Sequence, residues 1–297
     1  MKHKTNRATR NRFSPVMVIM LIVLTLYALS LIALLLWALK TSFQSQYEFR
    51  TNIIGLPKDW TWNYGMVYDK FYYEVFFEGV GTLYIGMDRM FLYSFLYAIG
   101  CAFMNTLVPC ITAYMCARFP YKFGKVITSV VIVAMVLPIV GSLPSEIQVA
   151  RFLGLYDHIW GLWIMKGNFL GMYYLVFLGV FKGIPKEFDE AAKIDGAGEF
   201  TVMTRIILPV VSNTFFTVML LYFIQYWNDY QTPLVYLPHY PTIALGLSFM
   251  SISTDYEMSS VPARMTAAML LLIPILVVFL FAHKRLIGNL TVGGIKG

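Results

Sequence analysis

Apolar residues in this chain come mainly in long runs. Six runs reach or approach the roughly 18 residues that a helix needs to cross a bilayer. They lie at 15–39, 91–117, 126–143, 161–181, 206–226 and 265–282. Pro138 falls inside the third run and is expected to bend it, because proline removes a backbone bond and crowds the preceding turn; Pro274 falls inside the sixth. Pro209 stands in the first turn of the fifth run, where it is tolerated. Lys166 and Asn168 interrupt the start of the fourth, and a lysine near a helix end can reach back to the interface. The stretch 75–87 is also rich in apolar residues, but Glu78 and several glycines argue against a seventh span. The predicted fold class is therefore all-α, a polytopic membrane protein with six transmembrane helices.

Lysines and arginines orient the spans, because cytoplasmic loops collect them. Placing both termini in the cytoplasm puts 15 of the 23 basic residues inside and 11 of the 16 acidic residues outside. This N-in, C-in arrangement divides the chain into a basic cytoplasmic tail (1–14), a first transmembrane helix (15–39), an extracytoplasmic loop (40–90), a core with five further spans (91–282) and a cytoplasmic tail (283–297). The first run is too long for a secretory signal and no small-residue cleavage site follows, so it is expected to be retained. Composition agrees: 58% of residues are hydrophobic and 13% charged, against about a quarter charged in soluble domains. The net charge of +7 then reads as topology, and no nucleic-acid partner is expected. Cys101, Cys110 and Cys116 have no ligand spacing and read as inert thiols, with no metal site expected.

Ion-coupled carriers usually bury an ionisable side chain deep in the membrane. No predicted span has one near its middle, and His3, His158, His239 and His283 fall in tails, outer loops or a helix end, where they read as surface chemistry. Nothing on one face of a span resembles a catalytic triad, a zinc-protease motif or a carboxylate pair, and there is no phosphate-binding glycine loop. An enzyme is disfavoured.

One cytoplasmic segment breaks the apolar monotony: "EAAKIDGAG", residues 190–198, within 184–209. Pro185 is placed to start a helix, and Glu187, Asp189 and Glu190 suit its positive end. Asp189 and Lys193 form an i, i+4 pair in the favourable order. Gly196 stands where a left-handed cap would end the helix, and a second helix can begin near Glu199. Ala191 and Ala192 are expected to be exposed near the tip. From its residues alone the segment reads equally well as a close-contact surface for another protein or as an amphipathic connector.

The spaced set Glu190, Ala191, Ala192, Gly196, Ile206, Leu208 and Pro209 resembles the E-A-A…G…I-x-L-P loop of permease subunits of bacterial ATP-binding-cassette importers, with the frequent Asp195-Gly196-Ala197 variant. "WALKTSF" (37–43), "LPKDWTWNY" (56–64), "AYMCARFPYKFGK" (113–125), "YWNDYQTPL" (226–234), "PTIALGL" (241–247) and "GNLTVGGIKG" (288–297) extend the likeness over most of the chain. They are similar to the carbohydrate branch, in particular the six-span permease type of the maltose transporter. The resemblance implies an importer permease fold in a bacterial cell membrane. It also implies a homologous second permease, two ATPase subunits that bind ATP and magnesium in place of this chain, an extracytoplasmic solute-binding protein and a sugar substrate. It assigns ATPase contact to Glu190, Ala191, Ala192, Asp195, Gly196 and Ala197, and to a tail holding Gly293, Gly294, Lys296 and Gly297. Tyr93 replaces a common asparagine, Asn213 replaces a usual second proline, and 70–89 reads as extra outer-loop sequence; these departures weaken transfer of sugar-contacting positions. A non-carbohydrate solute is the alternative cargo, and an ion-coupled carrier the alternative class.

Tyr, Trp and Phe make up 16% of the chain. Aromatics suit a saccharide path but belong at the lipid interfaces of any membrane protein. Trp227, Asn228 and Asp229 accordingly read either as a cavity mouth meeting substrate or binding protein, or as a capped helix end beneath an interfacial tryptophan.

Overall fold

The computed structural model describes residues 14–292 apart from 59, 78–80, 120, 121, 138–140, 251 and 253; its description of side chains also leaves out 77 and 282–292. The predicted Pro138 bend lies outside the described residues. The first helix, α1 (Pro15–Thr41), has proline in its first turn and buries no residue before Thr41 against its own chain. Its apolar surface is left to lipid or to another subunit. Among the described residues, its C-terminal end is the part tied down. The Asn63 side-chain amide donates to the carbonyls of Ser42 and Gln44 (2.8 Å each), and Thr266 donates to that of Ser42 (3.2 Å).

Two short helices follow, α2 (Gln46–Thr51) and α3 (Asn63–Lys70), then an antiparallel hairpin of β1 (Tyr72–Phe77) and β2 (Gly81–Gly86). The fold is mostly helical, and the stretch excluded as a seventh span adds one two-stranded sheet to it. Its residues alternate, so Val75 and Ile85 are buried while Tyr72, Phe76 and Tyr84 face outward. Tyr73 packs edge-on against Phe249, with ring centroids 5.4 Å apart. Lys70 pairs with Glu257 across the same outer surface (2.6 Å).

The centre of the molecule is α4 (Met87–Arg118), which packs against α7 (Ile159–Lys166), α8 (Met172–Gly183) and α11 (Leu208–Trp227). Small buried residues, Ala98, Cys101, Ala102 and Ala113, allow the close approach. At Gly100 a Cβ would lie 2.1 Å from the Trp163 indole nitrogen, which donates to the Leu96 carbonyl at 3.0 Å. The remaining elements are α5 (Lys122–Val136), α6 (Leu143–Phe152), α9 (Glu187–Ile194), α10 (Glu199–Thr201), α12 (Gln231–Tyr236), α13 (Ile243–Met250) and α14 (Val261–Val292). A wide π turn, Val202–Ile207, joins α10 to α11. Pro209 has no N–H to offer the preceding turn, and the widened register accommodates it.

Among the described residues four helices are long and apolar enough to cross a membrane: Pro15–Thr41, Met87–Arg118, Glu199–Trp227 and Val261–Phe281. The other two predicted runs take different forms. The third holds the 15-residue α5, and α6 follows it. The fourth is divided into α7 and α8. Asn168 makes that break: its N–H turns back to the Lys166 carbonyl (2.8 Å) and its side chain accepts from the Leu170 N–H (3.1 Å).

Candidate functional site

The segment 184–209 folds as a helix, a glycine turn and a second helix. Helix α9 carries Glu187, Asp189 and Glu190 in its first turn and Lys193 in its last, matching charge to the helix dipole at both ends. It stops where the amide of Gly196 donates to the Lys193 carbonyl (3.0 Å) and that of Ala197 reaches the Ala192 carbonyl (2.9 Å). Gly196 has φ +82°, the left-handed cap its position predicts. A Cβ at Gly196 would meet nothing within 4 Å. The glycine is therefore required by backbone conformation and not by crowding.

Glu190, Ala191, Asp195 and Gly196 are exposed, and Ala197 is half-buried. Ala192 is not exposed as expected: it packs inward in a cluster with Tyr114, Phe181, Val202 and Ile207. A helix lying on its own core must turn one stripe inward, and Ala192 is in that stripe. Apolar side chains stand free around the tip, with Phe188 51%, Phe200 74% and Ile194 85% exposed.

The expected Asp189–Lys193 pair is also corrected. Lys193 instead meets Glu199 across the glycine turn (2.5 Å), and this bond raises its pKa above the ordinary lysine value. Asp189 turns to Arg118, the last residue of α4, at 3.3 Å. Arg118 also donates through Nη1 to the carbonyl of Ile184, the residue that caps α8 (3.1 Å). By its place in the stretch 113–125, Arg118 reads only as one of the basic residues expected inside. A contact spanning 71 positions has no periodic signal to reveal it.

At the other end of the membrane region, Trp227 is buried within the chain. It is 1% exposed, donates to the Leu271 carbonyl (3.0 Å) and packs against Phe95, Phe223 and Phe91. Asn228 is exposed and bonds back to the Ile224 carbonyl (2.8 Å). Asp229 accepts from the Tyr97 hydroxyl (2.9 Å) and from the Thr232 N–H (3.0 Å), so it starts α12 and ties it to α4. All three residues thus hold the helix end together.

His239 is more than surface chemistry. Its ring meets the Asp157 carboxylate on one side and the Phe76 carbonyl on the other (3.0 Å), joining the α6–α7 loop, the α12–α13 loop and the hairpin. Asp157 holds φ +60°, uncommon for a residue with a side chain. Gly293, Gly294, Lys296 and Gly297 lie outside the described residues.

Residues 105–291 match the family profile described as binding-protein-dependent transport system inner membrane component. The chain is 29% identical over 203 residues to the maltodextrin transport system permease protein MdxG of Bacillus subtilis, covering 67% of this chain and 72% of that one. It is 25% identical to the probable starch degradation products transport system permease protein AmyC of Thermoanaerobacterium thermosulfurigenes, over 90% and 95% of the two chains. It is 26% identical to the galactooligosaccharides transport system permease protein GanQ of Bacillus subtilis, over 99% and 98%. A chain from the crystal structure of a bacterial ABC transporter involved in the import of the acidic polysaccharide alginate shares the fold. That match has a TM-score of 0.73 and 20% identity, over 90% of this chain and 95% of that one.

Proposed function

The chain belongs to the family of inner membrane components of binding-protein-dependent transport systems, and we propose that it is the six-span, N-in/C-in permease subunit of an ATP-driven carbohydrate importer. It is a multi-pass membrane component, and its family role is non-catalytic. The cargo reading is supported by relatives named for maltodextrin, starch products and galactooligosaccharides. The third crossing is α5 with the residues after it. The fourth is the broken pair α7 and α8, whose irregular link is tolerable where protein or a water-filled path surrounds it.

This subunit forms half of the pathway beside a homologous permease. Two ATPase subunits bind ATP and magnesium, and an extracytoplasmic solute-binding protein delivers the sugar. The surface of α9 around Glu190, Ala191 and Asp195 docks on an ATPase subunit, with Gly196 and Ala197 shaping its end and Ala192 fixing it to the permease core. The tail bearing Gly293, Gly294, Lys296 and Gly297 makes a second contact. ATP closes the ATPase pair, α9 moves, and the spans change from inward- to outward-facing. Each ligand shifts that equilibrium only through its different affinity for the two states.

The observation that carries this reading is the Gly196 turn, which holds Ala191 and Glu190 outward on a short rigid helix beyond the spans. The test is reconstitution of the complex in proteoliposomes with its binding protein, screened against saccharides and non-carbohydrate solutes. Saccharide accumulation that requires ATP is expected. Accumulation driven by an ion gradient without ATP would overturn the importer reading, and retention of non-carbohydrate solutes alone would overturn the cargo.

A further inference from the structure

We infer that Arg118 and Asp189 form the strut that makes α9 move as one body with α4, an inference that rests on the importer reading above. The backbone connections of α9 are weak for this task. It joins α8 through Gly183, Ile184 and Pro185, and α11 through Gly196 and Gly198. Glycines are poor at transmitting force because they resist rotation least. A lever needs a firmer attachment, and one guanidinium provides it. Arg118 ends α4, faces Asp189 on α9 and bonds the carbonyl of Ile184 just after α8, so three segments meet at one side chain.

The pair is withdrawn from water: the Arg118 side chain is 6% exposed and that of Asp189 15%. Charges so placed attract each other more strongly than on a surface, and separating them leaves an uncompensated buried charge. The attachment is also of a particular kind. Arg118 Nε and Nη2 and Asp189 Oδ1 make no hydrogen bond, so Asp189 is held by charge across 3.3 Å and not by an aligned fork. Coulomb attraction has no preferred angle. The joint therefore holds α9 to α4 whichever way a closing ATPase presses it. Arg118 and Asp189 act as positioning residues; Asp189 faces inward, away from the exposed docking surface.

The test uses the full complex on a cysteine-free background with spin labels at positions 115 and 187, both exposed. Distances are measured at rest and after trapping with ATP and vanadate. The wild-type pair is expected to keep one narrow distance in both states. R118M/D189L removes both charges and leaves no unpaired one, so it is expected to fold, yet to shift or broaden the trapped distance by about one helical turn, ~5 Å. The reversed pair R118D/D189R keeps the charge pair but not the bond to Ile184, and is expected to narrow the distance relative to R118M/D189L. An unchanged narrow distance in R118M/D189L overturns the strut, and so does a reversed pair that behaves like R118M/D189L. Failure of the wild-type complex to trap nucleotide is a separate result, which overturns the importer reading and the strut with it.

Discussion

Ala191 and Ala192 are neighbours in the chain but meet different surroundings on α9, the first exposed and the second 6% exposed against Val202 and Ile207. Their tryptophan variants should fail differently. Ala191→Trp leaves the fold intact and blocks close approach, so co-purification with the ATPase subunits is lost while membrane insertion persists. Ala192→Trp overpacks the protein's own core, at a cost of about 1–3 kcal/mol. It should speed proteolysis of the 184–209 segment before any partner is added. Identical behaviour of the two variants in both assays would contradict the outward and inward assignment.

Gly196→Val should strain the turn by roughly 1–2 kcal/mol, because a side chain disfavours the left-handed region. With nothing within 4 Å of the added Cβ, Gly196→Asn should be tolerated much better than Gly196→Val. ATP-dependent uptake by the two variants is the measurement. Equal loss would mean that crowding by a partner, and not backbone conformation, demands the glycine.

The Lys193–Glu199 bond sets a pH expectation. Its hydrogen bond raises the Lys193 pKa from the ordinary 10.5. A raised lysine contributes its stabilisation fully below the unfolded value and loses it as pH rises through the folded one. Amide protection of the turn, corrected for intrinsic exchange, should therefore stay level between about pH 6 and 9, well below the unperturbed lysine range. A decline within that window would show that another group governs the turn.

Topology can be read by labelling single cysteines at positions 60 and 190 on a background lacking Cys101, Cys110 and Cys116. Trp60 is 66% exposed and Glu190 is exposed, so access is not limited by the fold. An impermeant reagent added outside should label 60 and spare 190. The opposite pattern would invert the orientation.

Trp227→Ala should cost about 3–5 kcal/mol, the range for deleting a large buried aromatic, and lower the melting temperature in detergent. Trp227→Phe keeps part of the packing against Phe95 and Phe223 and loses the bond to Leu271, so a smaller drop is expected. A stable Trp227→Ala protein that fails only with its binding protein would return this residue to a partner contact.

Much of this protein is legible in one dimension because its strongest forces are local in sequence. A bilayer demands long apolar runs, so the spans of α1, α4, α11 and α14 can be read to within a few residues. The helix dipole and the left-handed preference of glycine act within a turn, and they place α9 and its stop at Gly196. What the one-dimensional pattern cannot carry is which side of an element meets which distant residue. Asp189 had a good local partner in Lys193, but folding brought Arg118 to it from 71 positions away and left Lys193 to Glu199. Trp227 was compatible with an interface until Leu271 and three phenylalanines closed over it. Alternation in 72–86 was masked by its apolar content, and packing of Val75 and Ile85 on the core, with Tyr73 against Phe249, fixed it as a hairpin. In each case the local preferences were nearly balanced, and burial against residues remote in the chain made the choice.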